Sequence, residues 1–247
     1  MAVWQPLVGP RLKLERAAIH IREFEALSET YLADEPYTIC VEYDLDHRPS
    51  VKVVFLRPIP PMASAIVGDV VHNLRSALDH LAADMIRASS KMPTKKTRFP
   101  IHKDKAGFEG GVTQDLMGAE PKFVDFIMNL KPFGNTPESR PFYDIARMNN
   151  DDKHLLLIDG TPALSIAKMV IYSDAGVFPI KNVAMIDGKK SSLPGTIIHR
   201  IEIEGHPRLL MHLIPGDFES ITPVVPTLKV MHSCVEATVN GVAPLFV

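Results

Sequence analysis

Hydrophobic residues along this chain follow a helical period in some stretches and a strand period in others. Apolar positions recur every three to four residues over Arg11–Leu32, Pro121–Leu130 and Glu138–Leu157, which predicts a helix in each range. Apolar and polar residues alternate over Tyr37–Tyr43 and Val51–Leu56, and the segment between them is rich in Asp, Arg and Pro. The first part of the chain is therefore predicted to consist of helices with an inserted β-hairpin.

The last third of the chain has short β-rich stretches instead. Asp187-Gly188 and Glu204-Gly205 are typical turn sequences between such strands. Four strands are predicted here: Lys168–Tyr172, Phe178–Ile186, Thr196–Glu204 and Arg208–Ile214. They predict a small antiparallel sheet. An apolar stripe over Pro226–Asn240 predicts a closing helix, with Gly241 as its C-cap.

The longest helical pattern covers Ala63–Ala88 and is clearest over Gly68–Met85. Successive residues of a helix are about 100° apart, and this rotation gathers the apolar side chains on one arc. The arc consists of Val70, Val71, Leu74, Ala77, Leu78, Leu81, Ala82 and Met85. We expect this face to be buried, because apolar area of that extent is stabilised by removal from water.

Together these elements predict an α+β protein. Its core is predicted to be a helical bundle built around Ala63–Ala88 and Glu138–Leu157, with an N-terminal β-hairpin and a C-terminal small antiparallel sheet. We expect a single domain over residues 1–247. Residues 1–160 form its mainly helical part with the hairpin, and residues 161–247 form a β-rich part with the closing helix.

Composition narrows the class of protein further. A net charge of −2 gives no whole-protein basic field for polyanions, although a local basic groove would escape this count. The two cysteines, Cys40 and Cys234, are expected to be core thiols of a reducing compartment. Neither a leader nor an apolar run of about 18 residues is visible. The expectation is a cytoplasmic protein with no membrane contact and none of the familiar nucleotide-binding or serine-hydrolase motifs.

The polar face of the long helix has an unusual composition. It carries Asp69, His72, Asn73, Arg75, Ser76, Asp79 and His80, and no Lys or Glu. Solvated helix faces are usually filled with Lys, Glu and Gln, which favour the helix, whereas Asn, Asp, His and Ser do not. This choice of residues indicates contact with another surface or a chemical role.

Arg75 and His80 are the candidate catalytic pair. The guanidinium of arginine binds phosphate oxygens through fixed donors, and histidine moves protons near neutral pH. Such a pair can cleave RNA without a metal: a ribose hydroxyl attacks the adjacent phosphodiester, His80 acts as general base or acid, and Arg75 stabilises the charge on the phosphoryl oxygens.

Arg75 and His80 form an R-x4-H motif, in which the sequence resembles the HEPN superfamily of helical proteins. The chain is also similar to a group of uncharacterised bacterial proteins that combine an NLRSALDHL helix, an FPI segment and a later DKH motif. Here these are Asn73–Leu81, Phe99–Ile101 and Asp152–His154. The resemblance implies a homodimer whose long helices face each other around a composite site, and a ribonuclease or RNA-binding protein in a toxin or phage-defence setting.

A second polar cluster, Asn149–His154, lies near the end of the predicted helix Glu138–Leu157. Asn150 and His154 are four residues apart and share a helix face, so this cluster is a candidate to join the first. The supporting or substrate-binding residues are therefore predicted to be His72, Asn73, Ser76, Asp79, Asn150, Lys153 and His154.

Two alternatives remain open. In the first, a divalent metal in the helical core activates water as in a metal-dependent hydrolase, with ligands drawn from Asp69, His72, Asp79, His80 and His154. In the second, the protein is a non-catalytic binding or interaction module, and Arg75 and Asp79 are an ordinary i,i+4 ion pair. The leading hypothesis needs no cofactor, and the sequence does not decide whether the protein is an enzyme.

Overall fold

The computed structural model describes residues 4–134, 136–151, 162–212 and 221–246. It combines six helices with two antiparallel sheets within these ranges, which confirms the α+β prediction. Within these ranges, no helix is long and apolar enough to cross a membrane.

Contacts along the chain separate it into two compact units. One comprises Met1–Glu23, Ala65–Leu157 and Val225–Val247, and the other comprises Phe24–Ser64 and Ile158–Val224. The hairpin residues thus group with the residues of the C-terminal sheet, and the closing helix groups with the other helices. The candidate site residues of the long helix all belong to the first, helical unit.

The helices include every one that the sequence predicts. Their bounds are Val8–Ala33 for α1, Met62–Ala88 for α2, Lys105–Asp115 for α3, Pro121–Leu130 for α4, Arg140–Asp151 for α5 and Val224–Val242 for α6. A short 3₁₀ turn follows at Ala243–Phe246. Helix α5 covers the first part of the predicted range Glu138–Leu157, of which residues 152–157 lie outside the described residues.

Helix α2 buries the apolar arc that its period predicts. All the residues of that arc, from Val70 to Met85, are 0% exposed. Asp84 lies on the same buried side, at 4% exposure, and its carboxylate accepts hydrogen bonds from Trp4 Nε1 at 2.9 Å and Leu7 N at 2.9 Å. The carboxylate thereby ties the residues before α1 to the middle of the helical unit.

Two features of the helices differ from the prediction. Helix α3 has no predicted counterpart, because Gly107, Gly110 and Gly111 give its sequence a poor helical propensity. The carboxylate of Asp104 caps it, accepting from Gly107 N at 2.8 Å. The predicted C-cap at Gly241 is wrong, since α6 continues to Val242 and includes that glycine.

The predicted hairpin is confirmed. Strand β1 (Tyr37–Tyr43) pairs antiparallel with β2 (Pro49–Phe55), with Tyr37 opposite Phe55 and Tyr43 opposite Pro49. The short strand β5 (Ser191–Ser192) joins β2 and completes a three-stranded sheet.

The C-terminal antiparallel sheet is also present and is larger than predicted. Its central strand β3 pairs with β4 on one side and with β6 and then β7 on the other, and β8 pairs with β7. The strand bounds are Ala163–Ser173 for β3, Gly176–Ile186 for β4, Ile198–Glu204 for β6, Arg208–His212 for β7 and Ile221–Pro223 for β8. Apolar residues of β2, β3 and the end of α1 form the core of this unit, among them Val53, Leu164 and Tyr31.

Candidate functional site

The polar face of α2 has two sides with different neighbours. Arg75 and Asp79 lie on the side near residues 98–102. His80 is exposed and lies against the start of α1, where a Cβ added at Gly9 would be only 2.6 Å from His80 Nδ1. Residues five apart differ by about 140° around a helix. Arg75 and His80 consequently have separate surroundings within one protomer.

Arg75 and Asp79 form hydrogen bonds with the backbone N–H and C=O groups of Phe99. Asp79 Oδ1 accepts from Phe99 N at 2.9 Å, and Arg75 Nη2 donates to Phe99 O at 3.1 Å. Arg75 also donates to both carboxylate oxygens of Asp79, at 2.8 and 3.1 Å. The Phe99 ring is fully buried and stacks on Phe142 of α5 with a centroid distance of 6.0 Å. The ion pair therefore fixes the segment of residues 98–102 beside α2.

Arg98 and His102 flank the buried residues of this segment, and both reach the carboxylate of Asp115 at the end of α3. Arg98 Nε lies 2.7 Å from Asp115 Oδ1, and His102 Nε2 lies 2.9 Å from Asp115 Oδ2. The Asp115 side chain is only 4% exposed. An ionised carboxylate can only accept hydrogen bonds, so His102 donates through Nε2. In the neutral ring Nδ1 is then an acceptor, and it has no hydrogen-bond partner within the described ranges.

Glycines of α3 make room for the imidazole of His102. A Cβ built on Gly111 would lie 2.4 Å from His102 Cε1, and one built on Gly107 would lie 3.8 Å from His102 Nδ1. Only a residue without a Cβ fits at position 111 while His102 keeps its place against Asp115. The glycines lower the helical propensity of α3, and the packing of His102 against Gly111 explains why a glycine is present there.

A cleft of about 320 Å³ opens where α2, residues 98–102 and α5 meet. It is lined by Arg75, Asp79, Arg98, Phe99, Ile101, His102, Ala146, Asn149 and Asn150. Its volume is at the lower end of the range that small-molecule sites have, roughly 300–1,000 Å³. It accommodates a small ligand or one unit of a polymer.

The charges of this cleft leave hydrogen-bond donors available. The carboxylate of Asp79 is bound by Arg75 and the Phe99 amide, and that of Asp115 is bound by Arg98 and His102. Arg75 Nη1 and both Nη groups of Arg98 have no hydrogen-bond partner among the residues that the structure describes. The planar guanidinium binds pairs of anionic oxygens through such N–H groups, those of phosphate and carboxylate above all.

The structure brings together only part of the predicted site. Arg75, Asp79 and Asn150 line the cleft. Asn73 is nearly buried and is bound to Asp69 O at 2.8 Å and to Lys13 Nζ at 3.4 Å. His72, Ser76, Asp69 and His80 do not line the cleft; His72 Nε2 and Ser76 Oγ are 3.5 Å apart on the surface of α2. Lys153 and His154 lie outside the described residues.

Sequence reasoning did not single out Arg98, His102 or Asp115 as site residues, and it included Asn149 only as the first residue of the second polar cluster. His102 and Asp115 are 13 residues apart and belong to a loop and a helix, so no helical or strand period links them. One signal was present: the FPI segment is bracketed by an arginine and a histidine, as RFPIH. Polar residues of this kind beside a short apolar segment in a loop are candidates for a site.

The structure also bears on the residues predicted to bind a metal. Among the described residues, no group of three or more His, Cys, Asp or Glu side chains is arranged to hold a metal ion. Of the predicted ligands, Asp79 is bound to Arg75, and His154 lies outside the described residues. The alternative of a metal-dependent hydrolase therefore stays a prediction from the sequence.

Comparison of the chain with protein-family models, with curated proteins and with solved structures finds no match in any of the three. The resemblance to the HEPN superfamily accordingly rests on the sequence motifs alone.

Proposed function

We propose that the protein binds RNA in the cleft between α2, residues 98–102 and α5, and that it acts there as a metal-independent ribonuclease. The observation that supports this most is the combination of Arg75, Arg98 and His102 in one cleft whose carboxylates already have cationic partners. RNA as the ligand, and cleavage without a metal, come from the resemblance of the R-x4-H helix to HEPN nucleases.

Each polar group of the cleft has a task in this proposal. Arg98, with 61% of its side chain exposed, and Nη1 of Arg75 bind the phosphodiester. The side-chain amides of Asn149 and Asn150, which carry both donors and acceptors, bind the ribose or a base edge. His102 supplies the imidazole for proton transfer.

This proposal departs from the sequence hypothesis in its histidine. The R-x4-H pair assigns proton transfer to His80, which lies on the Gly9 side of α2 and does not line the cleft. A partner subunit is the remaining way for His80 to reach a cleft, as the implied composite site requires. A cytoplasmic homodimer with a helical-bundle core stays part of the proposal and is tested by its oligomeric state in solution.

A second candidate function is a non-catalytic binding module, and one observation favours it. Three of the hydrogen bonds of Arg75 go to Asp79 and to the backbone of Phe99, which is a structural use of the guanidinium. In this case Arg75 stabilises the wall of the cleft, and Arg98, Asn149 and Asn150 bind the ligand.

The proposal is tested with purified protein, single-stranded RNA and an excess of a chelator. Wild-type protein should bind and cleave the RNA in the chelator. Arg98→Ala should weaken binding roughly tenfold or more, because a hydrogen bond to a charged group contributes about 1.5–3 kcal/mol. The slope of log Kd against log salt should decrease by about 0.7, the value for one lost phosphate contact on a single strand. Arg22→Ala, on the exposed surface of α1, is the matched control and should leave binding unchanged.

The outcomes separate the candidates. Binding that depends on Arg98 without any cleavage supports the non-catalytic module. Cleavage that stops in the chelator and returns with a divalent metal contradicts metal independence. Equal binding by the wild-type and Arg98→Ala proteins contradicts the assignment of the cleft.

A further inference from the structure

We infer that His102 is the proton acceptor of this site and that Asp115 is its positioning residue; the inference rests on the proposed ribonuclease function. His102 lines the cleft, and 18% of its side chain is exposed. His102 thereby replaces His80 of the R-x4-H pair as the residue that meets the substrate.

Three hydrogen bonds hold His102, one through its imidazole and two through its backbone. Its Nε2 donates to Asp115 Oδ2 at 2.9 Å, its backbone N–H donates to Pro132 O at 3.3 Å, and its carbonyl accepts from Gly134 N at 3.2 Å. The edge of the ring meets the ring of Phe108, with centroids 6.1 Å apart. Backbone and ring are both held, so Nδ1 has a defined position.

Asp115 sets the tautomer that the chemistry needs. A buried carboxylate on Nε2 keeps the proton there and leaves the lone pair of Nδ1 as the acceptor. The other carboxylate oxygen of Asp115 is bound to Arg98, the arginine assigned to the phosphodiester. One buried aspartate therefore orients both the group that takes the proton and a group that binds the phosphate.

The reaction step is a transphosphorylation within the RNA. His102 Nδ1 accepts the proton of a ribose 2′-hydroxyl, the bond between O2′ and phosphorus forms, and the bond between phosphorus and O5′ breaks. The departing O5′ takes a proton from water, and the imidazolium returns its proton to the hydroxide that remains. The products are a 2′,3′-cyclic phosphate and a 5′-hydroxyl end, and no oxidant, reductant or co-reactant is consumed.

The glycines of α3 provide a test that removes no functional group. Gly111→Ala places a methyl group against His102 Cε1, where the built distance is 2.4 Å, and must displace the ring. Gly110→Ala, one residue away on the same helix, meets nothing within 4 Å and is the matched control. Both substitutions raise the helical propensity of α3 equally, so a difference between them reports the position of His102.

The experiment measures kcat and KM for RNA cleavage in a chelator, with folding of each variant checked by circular dichroism. His102→Ala should lower kcat at least about 100-fold, the usual contribution of general acid–base catalysis, while KM changes less than about threefold. Asp115→Asn should lower kcat by at least about tenfold. Gly111→Ala should lower kcat on the order of 100-fold, and Gly110→Ala should retain the wild-type kcat.

Long-range ¹H–¹⁵N correlation spectra of the imidazoles provide a reading that does not depend on activity. In the wild-type protein the neutral His102 ring should carry its proton on Nε2, and in Gly111→Ala it should no longer show this single tautomer. Wild-type protein that does not cleave RNA overturns the proposed ribonuclease itself. Cleavage that survives in His102→Ala, or a His102 protonated on Nδ1, overturns only the role of His102.

Discussion

At the scale of single residues, Asp79 connects α2 to the segment of residues 98–102. Asp79→Ala leaves Phe99 N without its acceptor and Arg75 without its carboxylate. An unpaired buried donor costs about 1–3 kcal/mol, so we expect the free energy of unfolding to fall by that amount in urea titrations. Asp125→Ala, at an exposed position of α4, should change it by less than about 0.5 kcal/mol. Equal effects of the two substitutions would mean that the hydrogen bond to Phe99 is not stabilising.

Asp84 offers a second test at this scale, because it holds the single tryptophan of the chain. Asp84→Ala removes the acceptor for Trp4 Nε1 and Leu7 N and leaves Arg87 without its partner at 3.0 Å. Leu7 is buried, and an unpaired buried donor costs about 1–3 kcal/mol. Trp4 fluorescence should move to longer wavelengths as its partly exposed ring becomes more hydrated. Unchanged emission in the folded variant would contradict the contact between Trp4 and Asp84.

The candidate site could be predicted only in part, for a reason that lies in single residues. Arg75 and Asp79 were found because both project from one helix whose period is visible in the sequence. His102 and Asp115 were not found, because a loop and a separate helix bring them together. The resemblance drew attention to the FPI segment, Phe99–Ile101. The structure gives a reason why this segment occurs together with the NLRSALDHL helix: Arg75 and Asp79 of that helix bind the backbone of Phe99.

At the scale of elements, periodic segments were predicted well and exceptions to propensity were not. Helix α2 buries the whole predicted arc, and α4 has the predicted bounds Pro121–Leu130. Helix α3 was missed because its glycines lower its propensity, although one of them is needed for the ring of His102. Gly241 was misread as a helix end, but the glycine lies within α6 against the ring of Phe126.

Two glycines of α3 are expected to differ in how a substitution by alanine changes the stability of the protein. Gly110 is an exposed helical position where an added Cβ meets nothing within 4 Å. Gly110→Ala should therefore raise the free energy of unfolding by up to about 1 kcal/mol, through the propensity of α3 alone. Gly111→Ala should not raise the free energy of unfolding in this way, because its Cβ clashes with the ring of His102. Thermal denaturation of both variants checks the order, and equal stabilisation by both would contradict the close approach of His102 to Gly111.

At the scale of the whole molecule, the chain forms two compact units, and both sheets belong to the same one. The sequence predicted the sheets and the helices but not this grouping. Hydrophobic period defines individual elements, whereas the grouping depends on contacts between residues far apart in the chain. An example is Phe55 N, which donates to Asp187 Oδ1 at 2.9 Å.

The unit that contains the sheets is expected to be sensitive to acid. Donation by Lys190 and Lys52 lowers the pKa of Glu42 from 4.5 to about 2. The backbone N–H of Ile197 and the side chain of Thr196 lower that of Asp174 from 3.8 to about 2. A carboxyl whose pKa is lower in the folded state contributes stability above its unfolded pKa and loses it as pH falls to the folded value.

The melting temperature should therefore fall between about pH 5 and pH 2, and Glu42→Gln with Asp174→Asn should reduce this dependence. Glu29→Gln, at an exposed position of α1, is the control for the loss of a carboxyl. An unchanged slope of melting temperature against pH in the double variant would contradict the assignment of these two carboxyls.

NMR mapping tests most directly whether the cleft between α2, residues 98–102 and α5 binds RNA. Isotope-labelled wild-type protein is titrated with a short single-stranded oligoribonucleotide in a chelator, and the signals of His102, the Arg98 Nε–H group and the Asn149 amide are followed. We predict that these signals shift together and saturably, and that Arg98→Ala weakens the response roughly tenfold or more. Shifts confined to His80 on the Gly9 side of α2, or no shifts at all, would contradict the proposal.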